Sequence, residues 1–251
     1  MADRAAAIQK QIDDDYGAVF AKTLYELNGA KAPNGNRDGE TNLGDLITDA
    51  LVWGAKQNGE TVDAAITNGG GIRATIKAGD ITKKDINTVL PFGNTLSIVK
   101  VTGTELLEAL EASTYCTPDA LGGFPQVSGI QFTIDTGKSY DAGALYPDST
   151  YHAPKSINRV TIQSVGGKAF DEKAVYTIAT NDFMAAGGDT YYAFKAASAN
   201  YNIGVPMDEV LMDYIKTELK GVVGETYVKP QGRITLTKTE APAEEPAKPA
   251  E

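Results

Sequence analysis

The sequence predicts a mixed α/β (α+β) fold, in which a mixed β-sheet is flanked by helices. Three observations favour it: amphipathic helical patterns and short β-rich runs both occur, they follow one another without regular βαβ alternation, and no internal repeat is present. With 251 residues and 42% hydrophobic content, the chain can bury a substantial core, as one large domain or two small ones.

Helices are predicted where apolar residues recur at three- and four-residue spacing. The first such pattern ends before Gly29 and Pro33, and the second begins after a good N-cap residue. The predicted helices are residues 3–27, one beginning near Thr41, one capped by Thr104, and Pro206–Lys220.

Strands are predicted where β-branched and apolar residues form short runs. The runs are 64–67, 96–101, 130–134, 159–162, 175–180 and 233–236. The first of them leads into three consecutive glycines, and the fifth leads into Asn181 and the Gly187-Gly188 turn.

The chain divides into three segments by composition. Residues 1–28 are predicted to form a single helix, and residues 29–236 to form the folded domain. Residues 237–251 contain no large apolar side chain, so they cannot offset the entropy of ordering and are expected to be a disordered Pro/Ala/Glu tail. The first ten residues lack the apolar core of a secretory leader, and no apolar run is long enough to span a bilayer.

Composition restricts the possible functions. The net charge of −10 argues against nucleic acid as a partner, because phosphate neutralisation needs clustered Lys and Arg. A small phosphorylated ligand needs only one or two arginines. The single Cys116 excludes an internal disulfide. Since two-metal hydrolytic centres usually draw on several histidines, the single His152 predicts no catalytic metal site in this chain.

The segment Asn68-Gly-Gly-Gly-Ile-Arg73 follows a predicted strand. Consecutive glycines let backbone approach a ligand and expose N–H groups to it, and the flanking Asn68 and Arg73 add side-chain donors. The alternative is a tight turn with a surface arginine. The motif alone does not decide between them.

Two further loops carry aromatic side chains. Phe92 lies in the Pro/Gly turn of Val89–Asn94, and Phe183 lies in Asn181–Asp189, which ends in a carboxylate. Each aromatic could be a core plug or a stacking platform for a nucleobase. Together, two aromatics in turns, a forked arginine and a carboxylate are the components of a nucleoside clamp.

Five motifs in order resemble the C-terminal domain of the 5′-nucleotidase family. That family includes bacterial UDP-sugar hydrolases, 2′,3′-cyclic-nucleotide phosphodiesterases and animal ecto-5′-nucleotidases, and the resemblance implies its C-terminal-domain fold from about Arg37 to Arg233. The motifs are Arg37 with Glu40–Asp45, Asn68–Arg73, Leu90–Asn94, Val127–Ile130 and Asn181–Asp189.

The resemblance implies roles for individual residues. Phe92 and Phe183 correspond to the aromatics that sandwich the base, and Asp189 to the acceptor of the ribose hydroxyls. Arg37 and Arg73 correspond to the cations that reach ribose and phosphate.

The remaining implied substrate-binding residues are Asn68 and Asn94, which match positions near the base, and Gly70. One departure is Pro33, which stands where some bacterial relatives carry another phosphate-directed arginine.

The resemblance also implies a partner that this sequence does not contain. The family's N-terminal metallophosphatase domain holds two divalent metals and hydrolyses the ester, so this chain is expected to recognise an adenosine- or AMP-like nucleoside or nucleotide for it. Residues 1–28 would then connect the two domains, in an extracellular or cell-surface bacterial parent. The alternatives are a stand-alone nucleoside-binding module and a cell-surface structural module.

Overall fold

The computed structural model describes residues 16–239 together with Arg4, Lys10 and Asp14. The α-helices of this part of the chain are α1 (Asn42–Gln57), α2 (Lys83–Val89), α3 (Gly103–Ser113), α4 (Asp182–Ala185), α5 (Tyr192–Lys195) and α6 (Met207–Asp213). The strands are β1 (Val19–Thr23), β2 (Ala64–Asn68), β3 (Gly79–Thr82), β4 (Thr95–Thr102), β5 (Pro125–Ser128), β6 (Ile130–Asp135), β7 (Ala142–Leu145), β8 (His152–Pro154), β9 (Val160–Val165), β10 (Lys168–Ala169), β11 (Val175–Asn181), β12 (Ala199–Pro206), β13 (Val222–Val223) and β14 (Ile234–Thr237).

A five-stranded mixed sheet lies at the centre of the molecule, in the order β12-β4-β11-β2-β5. Strands β11 and β2 are parallel, and the other neighbours are antiparallel. Both faces are buried: Ala64 and Ile66 face one hydrophobic core, whereas Ala65 faces the other. This confirms the predicted mixed sheet flanked by helices.

The two cores are closed by different elements. Helices α1 and α6 cover one face of the sheet, together with the small sheet β13-β1-β3. Helix α3 and the four-stranded sheet β10-β9-β6-β14 cover the other. The loops at one edge of the central sheet are therefore held by two packed layers.

Buried charges join helix α1 to the last strand. One guanidinium nitrogen of Arg233, Nη2, donates to both carboxylate oxygens of Asp49 at 2.8 Å, and its Nε lies 3.6 Å from Asp45 Oδ1. The Glu40 carboxylate accepts from two backbone N–H groups in residues 231–234. The Glu40–Asp45 motif thus stabilises the fold.

We expect this cluster to make stability fall as the pH rises. Burial raises the pKa of the Asp45 carboxyl from 3.8 to about 8, against the attraction of Arg233. Between these values the folded chain binds more protons than the unfolded chain, so the Asp45 contribution to stability decreases as the pH increases. The Asp45→Asn variant lacks this group and should gain in melting temperature relative to the wild type between about pH 5 and about pH 8. A difference in melting temperature between the two proteins that does not change with pH would contradict the raised pKa of Asp45.

The predicted helix 3–27 is wrong in its C-terminal half. Tyr16 and Gly17 are helical, but Val19–Thr23 is strand β1, which pairs with β3 and β13. Val19 and Leu24 are exposed, although a helix with one apolar face would bury both, and Leu27 forms an isolated bridge with Ile76. Spacing along the chain cannot reveal strand partners that lie far away in sequence. The folded part of the chain therefore includes residues before residue 29. Apart from Arg4, Lys10 and Asp14, the residues before Tyr16 lie outside the described part of the chain.

Other boundaries also differ from the predictions. Thr102, not Thr104, caps α3, because its hydroxyl accepts from Glu105 N and the Glu105 carboxylate accepts from Thr102 N. Helix α6 continues into a π-helical turn, Tyr214–Glu218, and does not reach residue 220. Thr237, the first residue of the predicted tail, is the last residue of β14, and Thr239 donates to the Asp135 carboxylate. Residues 240–251 lie outside the described residues.

Candidate nucleoside-binding site

The strand order brings four loops to one edge of the central sheet. Parallel strands β2 and β11 end there, at Asn68 and Asn181. Strands β4 and β5 run the other way, so their first residues are at the same edge, with Leu96 opposite Asn181 and Pro125 opposite Asn68. The loops that follow β2 and β11 therefore meet the loops that precede β4 and β5.

An open cavity of about 460 Å³ lies between these loops. It contains seven of the eight predicted substrate-binding residues, namely Arg37, Asn68, Gly70, Phe92, Asn94, Phe183 and Asp189, and is completed by Gly71 and Gly122. The eighth, Arg73, lies at the rim, where its guanidinium is 5.6 Å from the centre of the Phe92 ring and donates to Gly70 O.

Both aromatic side chains of the cavity are open to solvent. Phe92 is 60% exposed and Phe183 is 43% exposed, so neither is a core plug. The Phe183 ring lies directly over Gly188. A methyl group built on Gly188 would come within 2.5–2.6 Å of three ring atoms. The absence of a side chain at Gly188 thus allows the ring its present orientation.

Asp189 supplies a carboxylate inside the cavity. Its Oδ2 accepts from Asn68 Nδ2 at 2.9 Å. Burial raises the pKa of this carboxyl, whereas the Asn68 hydrogen bond and the Arg37 guanidinium oppose the shift. Its backbone has a φ of 51°, in the left-handed region that few non-glycine residues occupy. Neighbouring contacts must therefore hold this conformation.

Arg37 enters the cavity from the loop before α1. Its carbonyl accepts from Leu121 N and its own N–H donates to Lys31 O, which ties this loop to the segment before β5. Within the described part of the chain, the buried Nε of Arg37 has no acceptor.

Two glycines of residues 69–71 use their N–H groups within the protein. The N–H of Gly69 donates to Phe124 O and that of Gly70 to Gly122 O, both at 2.7 Å, so these two groups are not free to bind a ligand. A side chain on Gly69 would clash with Asn36 O, and one on Gly70 would lie 2.9 Å from Gly122 O. Their small size allows three loops to pack closely beside the cavity.

Gly122 is a cavity residue that the sequence reasoning missed. A methyl group there would lie 3.8 Å from Asp189 Oδ1, an ordinary contact, and would occupy space beside the carboxylate. The Gly122-Gly123 pair was a usable signal, because paired glycines before a strand often mark a close backbone approach.

Among the described residues, no group of three or more His, Cys, Asp or Glu side chains is arranged to hold a metal ion. No helix in that part of the chain combines the length and the apolar character that crossing a bilayer requires. The single His152 is exposed.

Comparison with known proteins identifies the family. The family model for the 5′-nucleotidase C-terminal domain matches residues 20–196. This chain belongs to that family. The match begins within strand β1, which agrees with the place of this strand in the fold.

Relatives of this 5′-nucleotidase C-terminal domain are longer proteins. A trifunctional nucleotide phosphoesterase protein of Bacillus subtilis is 36% identical over 79% of this chain, which spans 12% of it. A cell wall protein of Listeria monocytogenes is 35% identical over 72% of this chain, which spans 22% of it. The crystal structure of a 5′-nucleotidase precursor from Thermus thermophilus matches this chain with a TM-score of 0.75 and 31% sequence identity. The match covers 98% of this chain and 43% of the Thermus chain. The chain thus spans less than half of each of these proteins.

Proposed function

We propose that this 5′-nucleotidase C-terminal domain binds the nucleoside part of a nucleotide and positions its phosphate for hydrolysis by a separate domain. The observation that carries the proposal is the juxtaposition of two exposed aromatic rings, a carboxylate and an arginine around one cavity. Cavities of a few hundred cubic ångströms are typical of small-molecule sites.

The base would stack on Phe92 and Phe183. An exposed phenyl ring leaves apolar surface in water, and a flat base covers that surface on binding. The Arg73 guanidinium beside Phe92 limits the freedom of that ring and adds a positive charge at the rim. Asn68, Gly70 and Asn94 border the same space and would contact the edge of the base.

The ribose would donate its two hydroxyl groups to Asp189. An ionised carboxylate can only accept hydrogen bonds, which suits two hydroxyl donors. Burial raises the pKa of the Asp189 carboxyl, whereas the Asn68 hydrogen bond and the Arg37 guanidinium favour its ionised form. Arg37 and Arg73 would lie on the path from ribose to phosphate. Arg37 borders the cavity, so its guanidinium would donate to an oxygen of the bound ligand.

Hydrolysis would be supplied by an N-terminal metallophosphatase domain with two divalent metals. The nucleotidases that resemble this chain are longer than it is, which supports such a partner. The described residues offer no metal-binding cluster, so their part would be to bind and orient the nucleotide. A connecting segment before β1 and a cell-surface location complete the proposal, the latter supported by the Listeria relative.

Titration with adenosine tests the proposal. A ligand that binds only the folded state must raise the melting temperature, by an amount that grows with its concentration. We expect adenosine and AMP to raise it, and we expect this chain alone to release no phosphate from AMP, with or without added divalent metal. The absence of a shift would favour a structural module, and robust phosphate release would refute the assigned division of labour.

A further inference from the structure

A chain of side-chain hydrogen bonds connects the two halves of the cavity. Asn181 Oδ1 accepts from Met184 N at 2.8 Å, which caps the short helix carrying Phe183. Asn181 Nδ2 donates to Asn68 Oδ1 at 3.1 Å. Asn68 Nδ2 in turn donates to Asp189 Oδ2 at 2.9 Å. Two buried amides therefore link the helix that carries the aromatic ring to the carboxylate.

The direction of this chain is fixed at both ends. A backbone N–H can only donate, so the oxygen of Asn181 must face Met184. Its nitrogen then faces Asn68, whose oxygen accepts and whose nitrogen is left for Asp189. An ionised carboxylate can only accept, which agrees with that last step. Flipping either amide would place two acceptors or two donors against each other.

Burial makes this arrangement hard to replace. Asn181 is 1% exposed and Asn68 is 5% exposed, so water has little access to substitute for a lost partner. The left-handed backbone of Asp189 has an intrinsic cost, and the hydrogen bond from Asn68 helps to hold its side chain in place.

We propose that Asn181 is a positioning residue for nucleoside recognition, which orients Asp189 through Asn68 while its cap holds the Phe183 helix. This inference rests on the proposed function. In the proposed function Asn181 does not contact the ligand. It acts on Asp189, the proposed acceptor of the ribose hydroxyls. Its loss should therefore reduce the contribution of the ribose hydroxyls more than that of the base.

The test compares adenosine with 2′,3′-dideoxyadenosine, which lacks the 2′ and 3′ hydroxyls proposed to donate to Asp189. In the Asn181→Asp variant, the carboxylate still accepts from Met184 N but cannot donate to Asn68. Whichever way the Asn68 amide is turned, its oxygen then faces a carboxylate, either that of the new Asp or that of Asp189, and two acceptors oppose each other. The Asn181→Ser variant also keeps a capping oxygen, adds no charge and is too short to reach Asn68.

The matched control is Asn200→Asp. Asn200 Nδ2 donates to Ala185 O and Phe194 O, so it braces the same segment without contacting Asn68 or Asp189. This control makes the same chemical change nearby. It should lower the melting temperature without changing the preference between the two nucleosides.

We expect the wild type to bind adenosine at least about tenfold more tightly than the dideoxynucleoside, since hydrogen bonds to charged groups contribute strongly. In Asn181→Asp and Asn181→Ser this ratio should fall below about threefold, while dideoxynucleoside affinity changes little. Isothermal titration calorimetry gives both affinities. A wild-type ratio preserved in either folded Asn181 variant would overturn the inference and leave the proposed function standing. Failure of the wild type to bind either nucleoside would refute the proposed function itself.

Discussion

Replacing Phe92 and Phe183 together by alanine is expected to abolish the stabilisation of this domain by adenosine. Stacking contributes about 1–3 kcal/mol per base, so each single variant should lose about five- to a hundredfold in affinity. Because both rings are exposed, the free protein should lose little stability. Calorimetric titration of adenosine into the single and double variants measures the loss directly.

Two controls separate stacking from general damage. Phe92→Tyr and Phe183→Tyr keep a π-face and should bind within a few-fold of the wild type. Leu145→Ala removes an exposed apolar side chain from the β7–β8 hairpin, away from the cavity lining, and should have no effect on binding. Undiminished adenosine binding by the double variant would show that the rings do not hold the base.

The second large effect is expected at Arg233. Replacement by methionine leaves the Asp49 carboxylate without its partner beside Asp45 and Glu40, in a largely buried cluster. Removing one member of a buried ion pair typically costs about 3–5 kcal/mol, because the remaining charge is uncompensated. Equilibrium urea unfolding of the variant and the wild type should show this loss in the free energy of unfolding.

The matched control is the exposed pair Lys77–Glu26, whose atoms are 2.6 Å apart. Surface pairs contribute at most about 1 kcal/mol, so Lys77→Met should be nearly neutral. Equal losses in the two variants would mean that burial of the Arg233 cluster has no particular energetic weight.

Much of the local structure could be predicted from the sequence. Thr41 was correctly predicted as the cap of α1, since its hydroxyl accepts from Gly44 N. The strand that ends at Asn68 and the strand that ends at Asn181 were also predicted within one residue. Such features depend on neighbours along the chain, which the sequence displays directly.

The wrong predictions concern places where segments far apart in the sequence determine the local structure. Strand β1 has apolar residues at helical spacing, yet its backbone hydrogen bonds are made with β3 and β13, which lie far along the chain. The N–H groups of Gly69 and Gly70 looked available but are used by the segment before β5. In both places a tertiary partner overrides the local preference.

The sequence by itself determined the family, the mixed fold and the residue types from which a nucleoside site could be built. Only the tertiary structure decided that these residues surround one cavity, because their meeting depends on β11 and β2 being parallel neighbours between antiparallel β4 and β5. It also decided the direction of the Asn181–Asn68–Asp189 hydrogen bonds. Hydrogen-bond direction and loop proximity depend on groups more than 100 residues apart, and no local pattern encodes them.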